Sequence, residues 1–386
     1  MKVAFYAPMK SPDHARPSGD RRIARLFIAA LRRAGSAVEL ASELRAWEGR
    51  GDSHRQDEIE TQGAQEAARL IETYRRLPRA ERPRCWFTYH PYHKAPDWIG
   101  PAVSVALDIP HVLAEASLAQ KQRDGAWRRG HASTLAAVQR ADLIFNLNPT
   151  DRDGLRPFVR RDEVLREIKP FADLPATDAQ PAKTNLRRDL AARFEIDADA
   201  NVYWLLCVAM MRDDSKLDSY RILADATPKM NRRDWRLLIA GDGVAESRVV
   251  EMFRARAPRS SRVRFLGRLD PDALYPLMRA SDLLVWPARN EAIGMAALEA
   301  LGCGLPVLAG DDGGIGGIVT HDVTGRLIAQ PDGARMAMEI ERLLAAPETL
   351  ARMSAASLRA YRQSHQLERA AEIIGAALTR VIGCAD

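Results

Sequence analysis

The chain holds 386 residues, 46% of them apolar and 28% charged, with a formal net charge of +6. That is enough for two domains with separate cores, at roughly 150 residues each, and it excludes a disordered or low-complexity protein. The modest basic balance admits an acidic partner, whether phospholipid, nucleotide or nucleic acid, and selects none of them.

Four cysteines, Cys85, Cys207, Cys303 and Cys384, follow no metal or redox spacing. They read as free thiols of a reducing cytosol. No apolar run approaches about 18 residues and the run at Met1 is too short for a signal peptide, so a soluble or peripheral cytoplasmic protein is expected.

In chain order, residues 2–7 read as a strand closed by Pro8. A loop with Pro12, Pro17 and Ser18-Gly19-Asp20 enters a helix whose Ile23, Leu26, Phe27, Ala30 and Leu31 have helical spacing. The Gly-x-Gly-x-x-Gly fingerprint is absent, which argues against a dinucleotide site here. The pattern continues with strand 37–41, helix 58–77, strand 85–90, helix 96–107, strand 111–116, helix 126–140, strand 143–148 and strand 164–171. Alternation of this kind implies right-handed βαβ units and a parallel sheet, with ligands at the carboxyl ends of the strands. Those ends hold His90, Glu115 and Asn148. A lone histidine is commonly an ordinary hydrogen-bonding group, and only its place at a strand end raises His90 to a catalytic candidate.

Residues 172–183, with Pro175 and Pro181, read as a linker, followed by a short charged helix. The expected domains are 1–171 joined by 366–386, a linker and helix over 172–198, and a second domain over 199–365. That second domain opens with the apolar strand 202–209, and its loop Met210-Met211-Arg212-Asp213-Asp214-Ser215-Lys216 leads into helix 217–226. Strand 235–240 ends in Gly241-Asp242-Gly243, the segment 263–269, which includes Arg268, follows, and helix 270–280 precedes the strand Leu283-Leu284-Val285-Trp286. Helices are expected over 335–345, 350–362 and 367–382.

The densest stretch is Asn290-Glu291-Ala292-Ile293-Gly294-Met295, then Glu299-Ala300 and Gly304-Leu305-Pro306-Val307. Glu291 precedes a helix start and Glu299 lies about two turns in, roughly 80° apart around the axis, so the two carboxylates do not share one atom-sized site. An extended, hydroxylated, anionic ligand could meet both, with phosphates on the amides near Gly294 and Met295. The plain alternative is a helix-stabilising acid and a surface glutamate.

With Trp286-Pro287, Gly313-Gly314 and Thr324-Gly325-Arg326-Leu327, this stretch resembles the donor-binding signature of retaining glycosyltransferase family 4, the glycosyl transferase group 1. The resemblance implies an α/β fold of two Rossmann-like parallel-sheet domains facing a central cleft (GT-B), with a C-terminal helix returning to the first domain. It implies a nucleotide diphosphate sugar as donor and no cofactor or metal. Glu291 would contact the transferred sugar and Glu299 the ribose. Arg212, Lys216 and the Gly294-Met295 amides would meet the pyrophosphate, with Gly241, Arg268 and Ile293 completing the donor site. Gly19 matches the family's phosphate or acceptor loop. Glu115 stands where many members carry a histidine near the sugar, and Gly317 about where many carry a glutamate. The glycines of Asp312-Gly313-Gly314-Ile315-Gly316-Gly317 read as a loosened turn with weaker donor contacts.

The reaction expected is retaining transfer of a sugar to a hydroxyl of a lipid-linked or cell-envelope glycan. Arginine pairs at 21–22, 32–33, 75–76, 128–129 and 160–161 would allow peripheral contact with an anionic membrane, or are simply solvated helix faces. Nucleic acid is not expected, because no aromatic-interleaved basic motif is present. A nucleotide-sugar epimerase on the same fold and a non-catalytic nucleotide-sugar-binding protein stay open as alternatives.

Overall fold

The computed structural model describes residues 1–15, 18–175, 182–196, 199, 201–256 and 262–383. The chain divides into one unit of Met1–Phe171 with Leu367–Asp386 and another of Ala172–Gln366.

The first unit runs β1 Lys2–Tyr6, α1 Gly19–Arg33, β2 Ala37–Ser42, α2 Ser53–Arg76, β3 Cys85–Tyr89, α3 Gly100–Leu107, β4 His111–Ala114, α4 Arg128–Arg140, β5 Leu143–Asn146, α5 Pro149–Leu155 and β6 Leu165–Glu167. Its six strands lie in the order β2-β1-β3-β4-β5-β6, all parallel. The inner strands are buried along almost all of their length, which explains their mostly apolar sequences. Phe87 is the hub of the core, with ring centroids 5.4 Å from Phe5, 5.7 Å from Phe27 and 6.2 Å from Phe145. Truncating such a residue to alanine costs about 3–5 kcal/mol.

The second unit runs α6 Lys183–Phe194, β7 Tyr203–Val208, α7 Ser215–Ala226, β8 Trp235–Ala240, α8 Glu246–Arg256, β9 Val263–Gly267, α9 Pro271–Ala280, β10 Leu283–Trp286, α10 Met295–Gly302, β11 Val307–Gly310, β12 Gly325–Ile328, α11 Gly333–Leu344 and α12 Pro347–Ala360. Its sheet order is β12-β11-β10-β7-β8-β9, again all parallel. The last helix, α13 Leu367–Gly383, belongs to the first unit and packs on α1, where Arg33 pairs with Glu368 at 3.1 Å.

Several sequence expectations shift. The helix expected from residue 58 begins at Ser53, because Asp52 accepts the Arg55 amide at 3.2 Å and caps it. The helix expected from 96 begins at Gly100, since the Asp97 carboxylate takes the Ile99 and Gly100 amides at 2.9 and 2.7 Å. The strand expected over 164–171 is only Leu165–Glu167, an exposed edge strand. The charged helix α6 is docked rather than free, for Lys183 donates to the Ser281 carbonyl at 2.8 Å and both Lys183 and Arg187 pair with Asp282. The rest of the expected linker, 176–181, and Cys384 lie outside the described residues. Burial pushes the thiols of Cys85, Cys207 and Cys303 up to about 12, which leaves them inert at neutral pH.

Candidate functional site

In an open parallel sheet, the loops at the carboxyl ends of two neighbouring strands part where the strand order reverses, and ligands bind there. Each unit has one such point, between β1 and β3 in the first and between β7 and β10 in the second.

In the second unit, β7 leads to Lys216 at the start of α7 and β10 leads to Glu291. The two side chains form an ion pair, 13% and 16% exposed. The Trp286 indole also donates to the same Glu291 oxygen at 3.1 Å, and the lysine nitrogen lies 5.3 Å from the Trp286 ring centroid. Tyr220 props the indole edge-on at 5.1 Å while its hydroxyl donates to the Ala209 carbonyl at 2.7 Å. The backbone around Glu291 is held in costly geometry, with Ala288 and Asn290 both in the left-handed region at φ 53° and 51°. Each such residue costs on the order of 1 kcal/mol and persists only where its surroundings impose it.

Glycines make those surroundings possible. A Cβ on Gly313, whose φ is +71°, would lie 2.0 Å from the Glu291 carbonyl oxygen. The neighbouring Gly314 amide donates to that oxygen at 2.8 Å. The glycine run read as a loosened turn is therefore, at Gly313 and Gly314, a tight seat for the glutamate loop. Gly317 has open space around its Cβ position and offers no carboxylate. Gly241 plays a similar part under the lysine loop, where a Cβ would meet the Ala209 carbonyl at 1.9 Å.

Gly294 caps α10 with φ +86° and without a side-chain cap bond, so the first amides of the helix, beginning at Met295, have no side-chain acceptor. Ile293 is buried beneath them at 8% exposure. Glu299 is 3% exposed and accepts from the Tyr275 hydroxyl at 3.5 Å, away from the Lys216 pair. Arg212 turns to Asp214 at 3.0 Å rather than to Glu291. Arg268 is exposed after β9. Among the described residues no group of three or more His, Cys, Asp or Glu side chains is placed to hold a metal ion.

In the first unit, the switch point brings together Asp20, on the first turn of α1, and His90, directly after β3, with Oδ1 and Nδ1 2.6 Å apart. His90 takes φ 58° and Glu115, directly after β4, φ 54°, so both strand ends turn through the left-handed region. Both still extend the ladder, since the His90 amide donates to the Ala114 carbonyl at 2.8 Å and the Glu115 amide to that of Phe145 at 2.9 Å. Burial is the largest influence on His90 and pulls its pKa down, but the hydrogen bond and charge of Asp20, then Glu115 and Asp151, outweigh it and leave the pKa raised. Burial pushes the Glu115 carboxyl up to about 7 against the Leu147 amide bond and His90, with Asp151 adding to the rise. Gly19 opens α1, and among the described residues beyond its chain neighbours no atom lies within 4 Å of a Cβ position there. It is an exposed helix start and makes no close approach.

Sequence reasoning missed Asp20, which lies 70 residues from its partner, and treated Trp286 only as part of a motif. It also missed the buried group in which Asp97 accepts from Thr88 at 2.5 Å and Trp86 at 3.2 Å and faces His111 at 3.4 Å. No local signal marks pairs so distant in the chain.

Residues 205–359 match the family model for glycosyl transferases group 1. The chain is 28% identical over 230 residues to the alpha-D-kanosaminyltransferase of Streptomyces kanamyceticus, covering 59% of this chain and 56% of that protein. It is 32% identical over 256 residues to the D-inositol 3-phosphate glycosyltransferase of Thermobispora bispora, covering 62% of this chain and 56% of that one. The alignments thus span little more than half the length of these curated relatives. In structure, the chain resembles Anabaena HepE in complex with UDP (TM-score 0.74, 18% identity, 98% of this chain and 100% of that chain). It also resembles sucrose-phosphate synthase of Thermosynechococcus elongatus (TM-score 0.72, 19% identity, all of both chains). These likenesses show the GT-B fold.

Proposed function

We propose that this chain, which carries a group 1 glycosyltransferase domain over residues 205–359 on a GT-B fold, moves a sugar from a nucleoside diphosphate sugar to a hydroxyl-bearing acceptor. The observation that carries the reading is the Lys216–Glu291 pair at the β7/β10 switch point, beside a helix start without a side-chain cap. A nucleoside diphosphate brings two negative charges close together. Its pyrophosphate would draw Lys216 from Glu291 and accept the first α10 amides, and the leaving phosphate would be stabilised by charges fixed before the reaction begins. Glu291, released from the lysine and still held by Trp286, would accept from a hydroxyl of the transferred sugar.

Glu299 would hold the ribose hydroxyls once Tyr275 yields it. Arg212 would leave Asp214 for the phosphates, and Arg268, Ile293 and the Gly241 turn would shape the rest of the donor site. Retention of configuration and the absence of a metal requirement rest on the resemblance to family 4. The acceptor, a lipid-linked or cell-envelope glycan, is assigned to the first unit, with His90 and Glu115 as its polar groups. Among the described residues no helix is long and apolar enough to cross a membrane. The relatives named above are transferases, which does not favour an epimerase or a non-catalytic binder.

The test is a hydrolysis and transfer screen over UDP- and GDP-sugars. Both bases enter because one structural neighbour is described with UDP and another relative is named for GDP-mannose. Release of nucleoside diphosphate by the wild type, lost in Lys216→Ala and Glu291→Ala, supports the proposal. No turnover with any donor removes it.

A further inference from the structure

The carboxyl edge of the first sheet also carries an aromatic surface that donor chemistry leaves unused. Trp47, in the loop after β2, is 38% exposed, although tryptophan is ordinarily well buried. It is held rather than loose. A Cβ on Gly49 would lie 2.4 Å from the Trp47 ring, so glycine is what lets the indole fold back over its own loop. Arg45 stacks on the ring at 4.8 Å. Trp47 lies close enough to the Tyr92 hydroxyl to act on it, and the Tyr92 ring lies parallel to His90, 20° between planes and 5.1 Å between centroids.

The loop is anchored at its other end by Glu48, which is 6% exposed and accepts the Arg50 and Gly51 amides at 2.5 and 2.7 Å and the Trp127 indole at 3.1 Å. A rigid line therefore runs from the exposed indole through Tyr92 to the His90–Asp20 pair. The Asp20 side chain is 10% exposed, and its Oδ2 has no hydrogen-bond partner among the described residues.

Aromatic faces beside a carboxylate and an imidazole match the two sides of a pyranose. Its axial C–H bonds are apolar and weakly positive, suited to the negative face of a ring, while its hydroxyls need acceptors and donors at the edge. An anionic headgroup fits less well, because the Asp20 carboxylate would repel it. The arginines nearby are also engaged. Arg21 and Arg25 both donate to the Pro12 carbonyl, at 3.0 and 2.7 Å, and Arg129 pairs with Asp57.

We infer that Trp47 and Tyr92 form a carbohydrate subsite on the first unit, which takes an uncharged pyranose of the acceptor against the two rings and its hydroxyls on Asp20 and His90. The word acceptor rests on the transferase reading, whereas sugar binding by this surface does not.

The experiment is saturation-transfer NMR on the full chain with methyl α-glucoside, methyl α-mannoside, methyl α-galactoside and maltotriose, alongside sedimentation with anionic phosphatidylglycerol vesicles. UDP and GDP binding are measured separately on the wild type, so a failed donor site is distinguished from a failed subsite. The expected result is saturation of at least one glycoside, reduced fivefold or more in Trp47→Ala and retained in Trp47→Phe, with unchanged thermal midpoints. Tyr92→Ala should act in the same direction. The inference is overturned by no glycoside signal in the wild type, by an undiminished signal in Trp47→Ala, or by vesicle binding that depends on Trp47 without glycoside binding.

Discussion

At the β1/β3 junction Asp20 meets His90 at 2.6 Å, and at the β7/β10 junction Lys216 meets Glu291. Both pairs occupy a point where strand order reverses, and both are flanked by two non-glycine residues at positive φ, His90 and Glu115 in one unit and Ala288 and Asn290 in the other. The chemistry nonetheless differs. Lys216 and Glu291 are a cation held against an anion, and such a pair yields chiefly to a ligand that brings its own negative charge. At the first junction burial brings the Glu115 carboxyl to about 7, beside a His90 whose pKa Asp20 raises. One topology thus supplies a fixed-charge seat suited to a diphosphate and a titrating seat suited to hydroxyl groups.

The sharpest way to break the comparison is Lys216→Ala. We expect donor turnover to fall about 10²- to 10³-fold in steady-state kinetics, the usual effect of losing a fixed charge-stabilising group. Stability by urea unfolding should also drop by about 1–3 kcal/mol, because Glu291 is left without its cation. Gly313→Ala should cost about 2 kcal/mol of stability and reduce turnover without touching a charged group, since the new methyl meets the Glu291 carbonyl.

Glu115→Gln sharpens the first-unit side. In the folded chain the carboxyl keeps its proton from about 4.5 to about 7, whereas the unfolded chain gives it up near 4.5. The native state therefore binds more protons in that window, and stability falls as pH rises through it. The amide variant should be more stable than the wild type by about 1–3 kcal/mol at pH 8 and equal to it at pH 4, as read by thermal or urea unfolding at each pH. The smallest effect is expected from Asp20→Asn, in which the His90 resonance followed by NMR should titrate at lower pH than in the wild type, because Asp20 is what raises it.

The two halves also differ in how much the sequence disclosed. The parallel βα architecture was legible because buried strands such as Trp204–Val208 and Leu283–Trp286 are apolar along their length. In the second unit Lys216, Gly241, Gly294 and Glu291 could be named from motif positions, since each lies in the loop or at the helix start that follows a recognisable strand. What escaped was set by contact across the chain. The Gly313–Glu291 approach inverts the loosened-turn reading, and Glu299 is buried against Tyr275. In the first unit His90 was visible at a strand end, but Asp20 was seen only as part of a loop and nothing in the sequence singled out Trp47. Helix boundaries shifted where a single side chain, Asp52 or Asp97, decided the cap.

The most direct test of the fixed-charge donor seat is titration calorimetry of UDP and GDP against the wild type and Lys216→Ala at neutral pH. The account predicts binding of at least one nucleoside diphosphate by the wild type, weakened tenfold or more in the variant. Failure of both to bind, or equal affinity in the two proteins, would contradict it.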